Sequence, residues 1–142
     1  MNKFVWPLNN ASFTLLDRIK LCLFFLNKDN FWTQSKYVKK IEEEFAKFVG
    51  SKYAVFVSSG STANTLLAMH LKDNYYSKTK NTVIFPSTTW TTSISPFIRE
   101  GFKPQFIDIN IQDFCLDLDA TEKFLEKNHK KVAAILCVSL IG

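Results

Sequence analysis

The feature that most constrains the fold of this sequence is an alternation of short apolar runs with helical patterns along most of its length. Runs rich in β-forming residues occur at 53–57, 82–85, 104–109 and 132–140, and continuous apolar runs of this kind are typical of strands covered on both faces. Strands that alternate with helices form parallel βαβ units joined by right-handed crossovers. The sequence therefore predicts an α/β fold with a parallel sheet.

Two amphipathic helices are predicted ahead of the first strand. One is expected from a cap at Ser12 to about Asn27, and its apolar positions recur at helical spacing. The other begins near Lys36, carries apolar residues on one face, and is stopped by Gly50.

The helices predicted between the strands begin after polar turns. The turn SSGST at 58–62 leads into one helix, and the segment 88–100 forms another that ends at Gly101. Asp119, with Glu122 three residues later, resembles a capping box that opens a short helix before the last strand.

Charge and composition exclude several classes of protein. Eighteen basic and thirteen acidic residues give a net charge of +5, but the basic residues are scattered, so we expect no nucleic-acid partner. The cysteines, Cys22, Cys115 and Cys137, lie far apart with no histidine at ligand spacing, which argues against a metal site and against disulfides. The apolar run at 21–26 is too short to span a bilayer and the N-terminus has no apolar signal region, so we expect a cytoplasmic protein without a membrane partner.

Polar loops after the predicted strands are the expected binding sites, because ligands of open α/β sheets bind beyond the carboxyl ends of the strands. Residues 58–62 bring hydroxyls and free backbone N–H groups to a helix N-terminus, where they can hold a phosphate or can simply cap the helix. Trp90 stands among threonines, and its ring can stack on a planar cofactor or pack in the core. From the residues alone, both interpretations of 58–62 and both interpretations of Trp90 stay open. The two remaining loops are 108–110 and 139–142.

Four segments in a fixed order carry a resemblance to a known family. Residues 31–50, 53–71, 83–110 and 132–142 resemble, in the same order and at similar spacing, the opening of the DegT-type (DegT/StrS) sugar-nucleotide aminotransferases, which depend on pyridoxal 5′-phosphate. The resemblance covers nearly the whole chain, and four segments in register on one βαβ pattern are specific. It is greatest to members that act on nucleotide-linked 4-keto-6-deoxyhexoses, including a branch of 3-dehydratases.

The resemblance implies the three-layer α/β/α large domain of the aspartate-aminotransferase-like fold, with the chain ending after about four of its strands. It divides the chain into an N-terminal helical segment, 1–50, and an incomplete first part of the pyridoxal-phosphate-binding domain, 51–142. The family's sheet has the strand order 3-2-4-5-6-7-1, so a strand at 53–57 is expected to lack a neighbour and to leave apolar surface exposed.

The resemblance also assigns the cofactor-binding residues. Gly60, Ser61 and Thr62 match the family's phosphate-binding turn, and Trp90 matches the aromatic residue that stacks on the cofactor ring. These residues are therefore expected to bind pyridoxal 5′-phosphate.

An early loop and two strand ends match further parts of the family's site. Thr33 and Gln34 match the T-Q of the loop expected to bind the substrate, although Ser35 stands where the family has glycine. Asp108 matches a strand-end acid, and Ser139 stands where many members have histidine.

The resemblance nominates no catalytic residue and no metal ligand in this chain. In the family, the lysine that binds the cofactor covalently and the acid beside the pyridine nitrogen come from later strands, so the chain is expected to be inactive by itself. The expected partners of the intact enzyme are a nucleotide sugar and glutamate as amino donor. The family forms homodimers, and this chain is expected to self-associate or to need a C-terminal half.

Three functions follow as hypotheses. The first is a truncated aminotransferase that acts on nucleotide-linked 4-keto-6-deoxy sugars in the biosynthesis of amino sugars, polysaccharide or lipopolysaccharide. The second is a 3-dehydratase of the same family, in which a histidine beyond Gly142 replaces the lysine. The third is a non-catalytic remnant or one half of a split enzyme.

Overall fold

The computed structural model of the protein describes residues 13–28, 33 and 35–139. The chain divides into two compact units, residues 1–56 and residues 57–142, and each is described by itself. Within the described residues, no helix is both long and apolar enough to cross a membrane.

The first helix, α1, extends over Leu15–Leu26 and begins at a capping box. The Thr14 hydroxyl accepts a hydrogen bond from the Asp17 amide at 3.2 Å, and the Asp17 carboxylate accepts one from the Thr14 amide at 3.0 Å. The predicted cap, Ser12, lies outside the described residues, and its assignment was wrong because Thr14 caps the helix. An acid three residues after the cap completes such a box, and only Thr14 has one.

The second helix, α2, extends over Lys36–Val49 and ends where the sequence predicted. The Ser35 hydroxyl accepts a hydrogen bond from the Tyr37 amide at 3.3 Å. Gly50 has a φ of 71°, in the left-handed region, which glycine adopts without steric cost. The Phe24 ring of α1 contacts the Tyr37 ring edge to face, with centroids 5.4 Å apart.

A parallel sheet of three strands forms the centre of the second unit. The strands are β1 (Thr82–Pro86), β2 (Lys103–Ile107) and β3 (Val132–Ile135), and their spatial order is β2-β1-β3. This order is the 3-2-4 part of the order that the resemblance predicted.

Three helices accompany the sheet: α3 (Gly60–Tyr75), α4 (Thr91–Arg99) and α5 (Leu118–Asn128). A short 3₁₀ turn, His129–Lys131, leads into β3. The predicted end of α4 is confirmed, because Gly101 follows it with a φ of 88°. Its start at residue 88 was wrong, because Trp90 has an extended backbone at the N-cap and the helix begins at Thr91.

Side chains of β1 alternate between two separate apolar clusters. Phe85 packs with Ala68 of α3 and Phe97 of α4 on one face of the sheet. Ile84 belongs to a second cluster on the other face, and Phe124 of α5 packs against that cluster. Helices therefore cover both faces, and the predicted three-layer α/β/α architecture is confirmed.

The predicted first strand is absent from the described chain. Residues 53–57 form no strand, and Tyr53, Val55 and Phe56 are 75%, 71% and 58% exposed. A strand is defined by the backbone bonds that it makes to a neighbour, and here the expected lack of a neighbour leaves an exposed apolar segment instead.

Two boundaries in the last part of the chain also differ from the prediction. β3 ends at Ile135 instead of continuing to residue 140. The cap of α5 is Asp117 and not Asp119, because the Asp117 carboxylate accepts a hydrogen bond from the Ala120 amide at 2.9 Å. Asp119 lies inside the first turn, where an acid interacts favourably with the helix dipole without capping it.

Candidate cofactor site

The turn before α3 has two backbone donors available to a ligand. Ser59 caps the helix, since its hydroxyl accepts a hydrogen bond from the Thr62 amide at 3.2 Å and its carbonyl accepts one from the Ala63 amide at 3.1 Å. The amides of Gly60 and Ser61 have no acceptor among the described residues. Free amides at a helix N-terminus point along the positive end of the helix dipole and favour an anion.

Three hydroxyl groups converge on the same turn. The Thr62 hydroxyl lies 3.1 Å from that of Ser58 and 3.0 Å from that of Ser59, and all three residues are exposed. A Cβ built on Gly60 meets no other atom within 4 Å, so the approach to the turn is open. Hydroxyl and amide donors around an open position fit the phosphate of pyridoxal phosphate.

The start of α4 lies beside the start of α3. The Asn64 side-chain amide donates to the Thr92 carbonyl at 3.5 Å, which joins the first turns of the two helices. Trp90 occupies the cap position of α4 and is 73% exposed, so its ring does not pack in the core of the unit. The structure therefore brings the turn at 58–62 and the exposed indole to one edge of the sheet.

Asp108 fastens the loop after β1. Its carboxylate accepts hydrogen bonds from the Ser87 hydroxyl at 3.3 Å and from the Ile109 amide at 2.9 Å. The Ser87 amide also donates to the Ile107 carbonyl at 2.8 Å. Asp108 thus orients the beginning of the loop that ends at Trp90.

A second group of predicted residues meets in a separate cleft of about 430 Å³. Asn110 and Ser139, from two different predicted loops, line this cleft together. The carboxylates of Asp113, Asp117 and Asp119 also line it, and their like charge disfavours a phosphate. The turn at 58–62 is therefore the better phosphate site.

The loop that contains Thr33 and Gln34, the predicted substrate-binding residues, is described only in part. Thr33 is exposed and belongs to the first unit, and Gln34 lies outside the described residues. Their assignment to the substrate stays a prediction.

The structure adds Asn64 and Thr89 to the residues that sequence reasoning selected. Asn64 carried no motif, and its importance depends on a contact between two helices. The Thr89 hydroxyl oxygen is buried and has no hydrogen-bond partner among the described residues. Nothing in the sequence distinguishes it from Thr88, Thr91 and Thr92, which surround it.

Free amides at a helix N-terminus and an exposed aromatic ring at the carboxyl edge of a parallel sheet are typical of α/β proteins that bind phosphorylated ligands. The chain belongs to the DegT/DnrJ/EryC1/StrS aminotransferase family, whose sequence profile matches residues 18–142. The resemblance carried by the four segments is thereby confirmed.

Curated relatives in this family are longer than this chain. The chain is 38% identical over 113 residues to the GDP-4-keto-6-deoxy-D-mannose 3-dehydratase of Escherichia coli O55:H7, a match that covers 78% of this chain and 28% of that protein. It is 29% identical over 117 residues to the GDP-perosamine synthase of Vibrio cholerae, which covers 80% of this chain and 30% of that protein. The chain therefore spans less than a third of either relative.

Solved structures of similar proteins share the fold. The E. coli GDP-4-keto-6-deoxy-D-mannose-3-dehydratase with bound hydrated PLP is 33% identical, with a TM-score of 0.78, and the match covers 97% of this chain and 35% of that one. Helicobacter pylori PseC, an aminotransferase involved in the biosynthesis of pseudoaminic acid, is 22% identical with a TM-score of 0.72 over 87% of this chain and 31% of its own.

Proposed function

We propose that this chain forms the N-terminal part of the cofactor-binding domain of a pyridoxal-phosphate-dependent aminotransferase that acts on nucleotide-linked 4-keto-6-deoxy sugars. The observation that carries the proposal is the pair of free amides at Gly60 and Ser61, beside hydroxyl groups and close to the start of α4. Gly60, Ser61 and Thr62 hold the phosphate, and the ring of the cofactor lies against Trp90.

The charges and the geometry favour this assignment. A phosphate carries up to two negative charges, and each hydrogen bond to a charged group contributes about 1.5–3 kcal/mol. The N-terminal end of α3 contributes further through its dipole. The indole of Trp90 is exposed, so its flat face is available to an aromatic ring.

The cofactor supplies the electron sink for the reaction, and the residues of this chain bind and orient it. Thr33 and Gln34 are proposed to contact the substrate, which is a nucleotide sugar, with glutamate as the amino donor. The names of the relatives support this substrate class, and a family dimer is the proposed assembly. The described residues of this chain are proposed to provide no catalytic group, so residues 1–142 alone are expected to give no turnover.

A second candidate is 3-dehydration of a similar sugar nucleotide. Relatives with 38% and 37% identity carry the name GDP-4-keto-6-deoxy-D-mannose 3-dehydratase, which supports this candidate. Both reactions use the same phosphate turn. Activity assays of a longer gene product with a 4-keto-6-deoxy sugar nucleotide and glutamate distinguish them by the sugar product. The aminotransferase leaves an amino group on the sugar, whereas the dehydratase removes the C3 hydroxyl and leaves no nitrogen on it.

Binding of pyridoxine 5′-phosphate tests the phosphate turn directly. This analogue has an alcohol in place of the aldehyde, so it forms no covalent bond with surface lysines. We expect the double substitution Ser61→Ala and Thr62→Ala to weaken binding about tenfold or more, because charge-assisted hydrogen bonds are lost. The measurement is quenching of tryptophan fluorescence in the full chain.

A matched pair of substitutions controls for the loss of hydroxyl groups. Ser77 and Thr79 form an exposed turn in which their hydroxyls lie 3.2 Å apart, and Ser77→Ala with Thr79→Ala is expected to leave the affinity unchanged. If the Ser61/Thr62 variant and the parent chain bind pyridoxine 5′-phosphate with equal affinity, the turn is an ordinary helix cap and not a phosphate site. A parent chain that binds no analogue would favour the non-catalytic remnant.

A further inference from the structure

Helix α4 contains a proline that removes one of its own hydrogen bonds. Pro96 lies inside the helix and is buried. In a regular helix the N–H of residue 96 would donate to the carbonyl of Thr92, four residues earlier, but proline has no N–H. The Thr92 carbonyl therefore lacks its usual donor within the helix.

The missing donor comes from the neighbouring helix. The side-chain amide of Asn64 in α3 donates to the Thr92 carbonyl at 3.5 Å, at the long end of the hydrogen-bond range. The proline ring also crowds the carbonyl four residues before it and tilts it away from the helix axis, which turns it towards outside donors. Asn64 lies inside α3, and its side chain makes this bond to the neighbouring helix instead of one within its own helix.

The same bond joins the two parts of the proposed cofactor site. Asn64 lies one turn after Gly60, at the end of α3 that carries the phosphate turn. Thr92 lies two residues after Trp90, at the start of α4. This hydrogen bond therefore links the end of α3 that carries the phosphate turn to the end of α4 that carries the indole.

We propose that Asn64 is a positioning residue that replaces the hydrogen bond lost at Pro96 and thereby fixes the phosphate turn relative to Trp90. The inference rests on the proposed function. A ligand that contacts both the turn and the indole depends on this spacing, whereas a ligand that contacts the turn alone does not. Asn64 itself touches neither the phosphate nor the ring in this account.

Two ligands separate positioning from a general loss of structure. We expect Asn64→Leu to weaken pyridoxine 5′-phosphate on the order of fivefold, the effect of one neutral hydrogen bond, and to change inorganic phosphate binding by less than about twofold. Asn74→Leu is the matched control, because Asn74 lies in the same helix and its side chain donates to the His70 carbonyl of its own helix at 2.9 Å. Equal weakening of both ligands, or of neither, would overturn the positioning role.

A double-mutant cycle with Pro96 tests the cause of the bond. Pro96→Ala restores a backbone N–H for the Thr92 carbonyl, so the effect of Asn64→Leu on ligand affinity should vanish in that background. Asn64→Leu should also lower Tm by roughly 3 °C in the parent chain and by much less in the Pro96→Ala chain.

Tm and the affinity for pyridoxine 5′-phosphate test the positioning role and the proposed function separately. The same Tm loss in both backgrounds overturns the inference, whatever the ligand does. A parent chain that binds no pyridoxine 5′-phosphate removes the proposed function, and the positioning role with it. Analogue binding that is unaffected by Asn64→Leu removes the positioning role alone.

Discussion

The two units of the chain differ sharply in how they cover their apolar residues. In residues 57–139, Val83, Ile84 and Phe85 are completely buried between helices. In the described part of residues 13–56, Phe48 is 86% exposed and Leu26 is 77% exposed. A parallel sheet with a helical layer on each face buries its own apolar side chains, whereas two amphipathic helices leave theirs for other residues to cover.

Apolar residues at helical spacing predict an amphipathic helix, but that helix can be covered by its own unit or can leave its apolar face exposed. The apolar positions of α1 and α2 were correctly predicted as helical, but the pattern does not specify what the apolar face contacts. The two regions should therefore respond differently to the same kind of substitution.

The largest contrast is expected for loss of a phenyl ring. Phe85 is fully buried and its ring lies 5.5 Å from that of Phe97, so Phe85→Ala should lower the free energy of unfolding by about 3–5 kcal/mol. Phe48→Ala, at an 86% exposed position, should change it by less than about 0.5 kcal/mol. Urea denaturation measures both, and hydrogen exchange in β1 reports the first variant if it does not fold. A comparable cost for the two would mean that Phe48 is covered in solution.

Glycines in the left-handed region should matter in both units. Gly50 has a φ of 71° and Gly101 a φ of 88°, so replacement of either by alanine should cost about 1–2 kcal/mol. Gly60 lacks a positive φ and has open space around it, which makes Gly60→Ala the control with a smaller stability effect. Thermal unfolding measures the three variants. If alanine lowers the free energy of unfolding at Gly101 but not at Gly50, the cap of α2 is not formed in solution.

The buried hydroxyl of Thr89 should make the chain less stable than it could be. Valine has nearly the same shape without the unpaired oxygen, so Thr89→Val is expected to raise the free energy of unfolding by about 1 kcal/mol. Thr88→Val, at the exposed neighbouring position, should have almost no effect. A loss of stability in Thr89→Val would reveal a hydrogen-bond partner for the hydroxyl.

The smallest effect is expected at the cap of α1 and depends on pH. Hydrogen bonds from the Thr14 hydroxyl, at 2.7 Å, and from the Thr14 amide hold the pKa of Asp17 below its ordinary value of 3.8. Because the folded-state pKa is lowered, the cap contributes fully above pH 3.8 and is lost as the pH falls through the lower folded value. Carboxyl NMR shifts should give a midpoint below 3.8 for Asp17, and Thr14→Val should raise it. An unchanged midpoint in that variant would exclude the hydroxyl as the cause.

Local signals predicted the ends of α2 and α4, and the resemblance predicted the order of the strands. Gly50 and Gly101 end helices because their backbone conformation is available to glycine, and that information is carried by single residues. The order of the strands came from the resemblance, which covers the segments that form them. The cap residues Thr14 and Asp117 were missed because other capping residues stand two positions away.

The features that the sequence did not predict, the absence of a strand at 53–57 and the bond from Asn64 to Thr92, depend on tertiary contacts. Residues 53–57 have the composition of a strand, but a strand needs a neighbour, and composition does not reveal one. The small polar residues at 58–62 marked a candidate site, and the resemblance assigned the phosphate to it. The bond from Asn64 to Thr92, in contrast, depends on how two helices meet. Pro96 inside a helical pattern was the available signal, because it implies a carbonyl that needs an outside donor.

Amide NMR of the full chain with pyridoxine 5′-phosphate tests the central claim most directly, because it reports on both regions in one titration. The account predicts saturable shifts of the Gly60 and Ser61 amides and of the Trp90 indole N–H, with the amides of Leu15–Leu26 unmoved. The same titration in the Ser61→Ala and Thr62→Ala variant should need about ten times more ligand. Shifts confined to α1, or spread evenly over the chain without saturation, would contradict the assignment of residues 58–62 as the phosphate site.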